Sequence, residues 1–135
     1  MEIKELTIES LMIGDWVYFN DSEYGYIPVQ IEGISHLGEV YVKNINTPHP
    51  FEVDSDLQPI PITEEILAKY GFKKKIGGTF ELVYNPIGIY IRVEYNPVSG
   101  HISANDRWFI ANEIHFVHEL QHALKMSKVN KEIEL

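Results

Sequence analysis

Residues 26–34 read Tyr26-Ile27-Pro28-Val29-Gln30-Ile31-Glu32-Gly33-Ile34. Ile27, Val29 and Ile31 alternate with Pro28, Gln30 and Glu32, the period of two that marks a strand with one buried face. Pro28 has no N–H to give to a ladder, so the strand is expected to lie at a sheet edge or to begin after it. Upstream, Gly14-Asp15 signals a turn and Trp16 to Phe19 form an aromatic and β-branched run. Downstream, Gly38 turns the chain into a run with Val40 and Val42 on one face, and Phe51 and Val53 suggest a further short strand. Several short strands with turns between them, within about sixty residues, predict a small SH3-like β-barrel over residues 1–61.

Gln58-Pro59-Ile60-Pro61-Ile62 imposes an extended path out of that lobe. Thr63 is a good N-cap, Glu64 and Glu65 complement the helix dipole, Ile66, Leu67 and Tyr70 make an apolar stripe, and Gly71 is a stop. These features predict a helix of about two turns. Lys73-Lys74-Lys75 reads as a solvated strand end or turn. Phe80–Tyr84 and Gly88–Tyr95 flank Asn85-Pro86-Ile87-Gly88, which reads as a β-hairpin. Weaker strands are expected near His101–Ser103 and in Arg107-Trp108-Phe109-Ile110. A last helix starts between Asn112 and Phe116 and ends near Ser127, before a polar tail. The class is therefore α+β. An SH3-like lobe is followed, over 62–135, by an antiparallel hairpin region carrying a C-terminal helix, the two packed as one compact unit.

The chain has 135 residues and a net charge of -9, from 11 Lys and Arg against 20 Asp and Glu. That balance argues against nucleic acid and anionic membrane as partners, since both are bound through clustered positive charge. With no cysteine there is neither disulfide nor thiolate chemistry, and cytoplasm is the expected setting. No signal peptide is read at Met1–Gly14, and no run of about 20 apolar residues is present to span a membrane. G-x-S-x-G, phosphate-loop and dinucleotide fingerprints are missing from the sequence. Asp54-Ser55-Asp56 lacks the rest of a calcium loop and reads as a turn.

His118-Glu119-Leu120-Gln121-His122 matches H-E-x-x-H. On a helix, histidines four apart share a face and can both ligate zinc, while the intervening Glu activates the bound water. His115 lies one turn earlier, so a helix that starts early enough would align three imidazoles. This is the pattern of a zinc-dependent metallopeptidase, with His115, His118 and His122 as candidate ligands and Glu119 as general base. Against it, the extended motif would put Gly and His where Lys125 and Lys128 stand. Glu132 and Glu134 are the sole downstream carboxylates, and upstream His101 or Asp106 would follow no spacing rule. Val117, Leu120 and Leu124 cluster within about 60° of the wheel, with the histidines opposite. If the apolar stripe seats on the sheet, the imidazoles face water, and the motif is a solvated polar face without catalytic role, metal or other cofactor.

Three segments carry a resemblance. Leu11-Met12-Ile13-Gly14-Asp15-Trp16-Val17, Pro59-Ile60-Pro61-Ile62-Thr63-Glu64-Glu65-Ile66-Leu67 through Gly71-Phe72, and Ile114 to Met126 followed by Asn130 to Leu135 are similar to the start, centre and tail of a family of small uncharacterised proteins of Bacteroides-type bacteria, their phages and mobile elements. Relatives often carry Gln at the position of Glu119, and a Gln cannot act as a carboxylate base. The resemblance thus implies a helix-packing motif. The expected function is a non-catalytic interaction protein with a protein or peptide partner. Trp16, Tyr18, Tyr24 and Tyr26 would form its surface unless they fill the core or a homo-dimer buries them.

Overall fold

The computed structural model describes residues 11–44, 50–53, 57–86, 88–105, 107–108 and 113–135. Among the described residues it is a mixed α+β structure with two antiparallel sheets and two helices, α1 (Glu64–Tyr70) and α2 (Val117–Met126). The chain divides into two compact units between Ile60 and Pro61.

The first unit holds β1 (Trp16–Asp21), β2 (Gly25–Ile34), β3 (Val40–Lys43), β4 (Phe51–Val53) and β5 (Leu57–Pro59), in the order β4-β3-β2-β1-β5. Three antiparallel steps run from β1 to β4, and the last strand returns beside the first. Alternation builds the core: Val17, Val29, Ile31, Val40, Val42, Val53 and Leu57 are buried together with Leu11, and Phe19 and Phe51 meet edge to face at 5.7 Å. Each such side chain contributes about 1.5–3 kcal/mol by leaving water.

β2 is an interior strand, not the edge strand that Pro28 suggests. Its partner β3 reaches Gln30 to Ile34 only, so Pro28 has just Tyr18 of β1 across from it. Ile31 N–H donates to Asp15 O at 2.8 Å, and alternation from that bond puts Pro28 at a site where β1 asks for no donor. Between Ile31 and Gly33 the register with β3 shifts by the extra residue Glu32, a bulge that bends the strand.

In the second unit, β6 (Lys73–Lys74), β7 (Phe80–Tyr84), β8 (Ile91–Tyr95), β9 (Ile102–Ala104) and β10 (Arg107–Trp108) form a meander in the order β10-β9-β8-β7-β6. The hairpin pairs Phe80 with Tyr95 and Tyr84 with Ile91, so its loop is longer than the four-residue turn read from Asn85 to Gly88. Phe80, Leu82, Ile91, Val93 and Tyr95 are buried on one face. On the other, Lys75 Nζ lies 3.2 Å from carboxylate oxygens of both Glu81 and Glu94, and Arg92 also pairs with both. Lys73 and Lys74 make the exposed edge strand, where charge discourages pairing with another chain.

Thr63 Oγ1 accepts from Ile66 N–H at 3.3 Å and caps α1, and Gly71 ends it at φ 97°. α2 starts at Val117 and stops in a Schellman motif: Val129 N–H donates to Leu124 O at 2.8 Å and Lys128 N–H to Lys125 O at 3.0 Å. Lys128 takes the left-handed conformation at φ 63°. The tail is less polar in place than in sequence, because Val129 and Ile133 are buried.

Candidate functional site

The H-E-x-x-H helix is entered from an extended segment, Glu113 to Phe116, held on several sides. Ile114 N–H donates to Gly100 O at 2.8 Å, and Ile62 N–H donates to His115 O at 3.0 Å. The buried phenol of Tyr95 donates to Ile114 O at 2.5 Å. These bonds hold Ile114 and His115 as a strand is held, and the helix begins after them, at Val117. His115 therefore stands outside α2, and the three-imidazole row does not form.

Phe116 occupies the N-cap and has no side-chain acceptor to give. Glu119 binds the backbone just before the helix. Its Oε1 accepts from the backbone N–H groups of His115 and Phe116, each at 3.1 Å. The carboxylate thus points back past the helix start to the N-cap N–H and the one before it, half of a capping box and a favourable charge at the dipole's positive end. In that position it is spent on the backbone.

His118 overturns the expectation that the imidazoles are wet: it is 6% exposed. Its ring stacks at 16° on Phe116 with centroids 6.3 Å apart, and meets His122 at 81° and 5.8 Å. The buried set Val117, His118, Leu120, Ala123 and Leu124 covers about 220° of the wheel, far more than one stripe. His115 Nε2 lies 3.2 Å from Glu113 Oε2, at a side-chain exposure of 34%. Among the described residues, no group of three or more His, Asp or Glu side chains is placed to hold a metal ion. His101 is exposed before β9, while Asp106, Asp54 and Asp56 lie outside the described residues.

The four aromatic candidates separate. Trp16 is 6% exposed and belongs to the buried set, so it is withdrawn from the surface. Tyr18 and Tyr26 sit diagonally across β1 and β2, with ring centroids 6.2 Å apart. Tyr26 is 54% and Tyr24 75% exposed. Asp21, which the sequence reading passed over, shapes this end of the hairpin: its Oδ1 accepts from Glu23 N–H at 2.8 Å and Tyr24 N–H at 3.1 Å. An Asp at the first position of a turn, where its carboxylate can accept from the backbone two residues on, is the signal that points to it.

Tyr95 carries no site signal in the sequence either, since a tyrosine on an alternating strand reads as core. Burial, and then the charge of Glu119, push its phenol up to about 12. It stays protonated and keeps donating to Ile114.

No family model, curated protein or solved structure matches this chain.

Proposed function

We propose that this chain is a non-catalytic binding protein of a phage or mobile element, working in the cytoplasm without a cofactor. It would engage a protein or peptide through Tyr18, Tyr24 and Tyr26. The observation that carries the proposal is the pair of hydrogen bonds at Glu119 Oε1. Zinc peptidase chemistry needs a carboxylate beside a metal-bound water. Here the motif's carboxylate accepts from the backbone at the start of its own helix, and freeing it would cost that helix part of its cap. The burial of His118 against Phe116 suits a packing role for the same motif. On the other side of the ledger, Tyr24 and Tyr26 expose large rings that no core uses, as binding surfaces do. We read the first unit as an SH3-like barrel. The return of β5 beside β1 and the bend at Glu32 support that reading.

Two measurements test the proposal. Protein purified without added metal should carry far less than one zinc per chain and should not cleave casein, with or without added zinc. Zinc-dependent cleavage that Glu119→Gln abolishes would overturn it. A benzophenone amino acid at position 24 should crosslink one polypeptide in cells that carry the protein. Once identified and purified, that polypeptide should bind the native chain and lose roughly tenfold in affinity for Tyr24→Ala/Tyr26→Ala. Equal affinity for the two would remove the tyrosines from the proposal.

A further inference from the structure

We infer that the hairpin tyrosines receive a cationic segment, an arginine- or lysine-rich stretch of a partner protein. This rests on the proposed function and adds the chemistry of the partner. The charge of the chain is distributed unevenly. Residues 1–60 carry eleven Asp and Glu against two Lys, whereas residues 61–135 carry nine against nine, so the net -9 belongs entirely to the first sixty. Solubility alone would not concentrate the charge in this way.

At the hairpin end the charge and the exposed rings coincide. Asp21 and Glu23 lie within three residues of Tyr24, and Tyr26 follows on the same hairpin with Tyr18 diagonally opposite. Asp21 Oδ1 receives two backbone N–H groups, which fixes the turn and orients its carboxylate without neutralising it. Lys43, the one basic residue among those described in this unit, pairs with Glu32 at 3.1 Å on β2 and β3. Tyrosine faces attract guanidinium and ammonium groups through the ring quadrupole, arginine most readily because its plane also stacks. Nearby carboxylates add long-range attraction and suppress acidic competitors. An anionic partner would meet the same charges as repulsion.

The test uses the full chain and three labelled peptides of equal length, alternating glycine with arginine, serine or glutamate, followed by fluorescence anisotropy. The arginine peptide should bind, and the serine and glutamate peptides should not. Its affinity should fall as salt is raised past about 0.15 M, where the screening length is about 8 Å. Tyr24→Ala/Tyr26→Ala leaves the charge unchanged and should weaken binding about tenfold. Asp21→Asn/Glu23→Gln keeps the turn's acceptor and should weaken it several-fold. Circular dichroism confirms that both variants are folded. Absence of binding by the arginine peptide, or equal binding by the tyrosine variant, overturns the inference; the second result reduces the attraction to bulk charge. If the arginine peptide fails while the crosslinked partner still depends on Tyr24 and Tyr26, the charge inference falls and the binding function stands. If both fail, both fall.

Discussion

The carboxylate of Glu119 accepts the backbone N–H of Phe116 at 3.1 Å, three residues before it in the chain. A second bond of the same length from His115 N–H ends on the same oxygen. A phenylalanine N-cap offers the first turn of α2 no side-chain acceptor, and the third helical residue instead binds the two N–H groups that precede that turn. The same side chain that completes the H-E-x-x-H pattern thereby helps to fix the start of the helix.

Replacement of Glu119 should be read as loss of a cap. Glu119→Gln keeps an acceptor oxygen and loses only the charge at the helix start, about 0.3–1 kcal/mol. Glu119→Ala loses the acceptor as well, in the range of about 0.5–2 kcal/mol typical of caps. Urea unfolding should rank native above Gln above Ala. A catalytic base would leave stability unmoved and respond in activity.

Tyr95 predicts an alkaline limb. Its phenol ionises near the usual 10.0 in the unfolded chain and at about 12 in the fold. The folded state therefore retains a proton that the unfolded state has lost, and stability falls as pH rises from about 10 to about 12. The contribution is fully present below about 10. Unfolding midpoints measured across that window should decline, and Tyr95→Phe should decline less. At neutral pH the Phe variant should lose about 1 kcal/mol, since Ile114 O is left without its donor.

The ion network on the sheet predicts a limb at the acid end. Arg92, and then Lys75, hold the Glu81 carboxyl below its usual 4.5. Its contribution is present above that value and is lost as pH falls through the lower, folded one. Arg92→Met should shrink this acid loss, read as the difference between urea midpoints at about pH 7 and about pH 3. At neutral pH the cost should stay within about 1 kcal/mol, because these side chains are 24–37% exposed and water screens them.

Much of this architecture could be read from local pattern, because alternation in Ile27 to Ile31 and the Thr63-to-Gly71 cap signals are properties of neighbouring residues. What escaped is non-local. The wheel places His118 away from Val117, Leu120 and Leu124, but it cannot show that the ring of Phe116, outside the helix, folds over it. The alignment of His115 with the other histidines assumes a helix at a place where the chain instead bonds to Gly100, Tyr95 and Ile62. For Trp16 the sequence leaves surface and core both open, and its burial decides for the core. Pro28 looked like an edge marker because sequence does not reveal how far β3 extends.

Lys128 offers a prediction in the stabilising direction. It sits just past the α2 cap at φ 63°, where its Cβ crowds the following carbonyl and glycine would not. The conformation persists because the Schellman bonds and the buried pair Leu124 and Val129 require it. Lys128→Gly relieves the strain but gives the unfolded chain more freedom to lose, so the gain should be about 0.5–1 kcal/mol and not the whole penalty. A domain of this size should show it as a rise of about 2–6 °C in Tm. Lys128→Ala removes the charge and keeps the Cβ, so it should not show the rise. If Ala stabilised as much as Gly, the lysine's charge beside Lys125 and Lys131 would be the cause, and the backbone argument would be wrong.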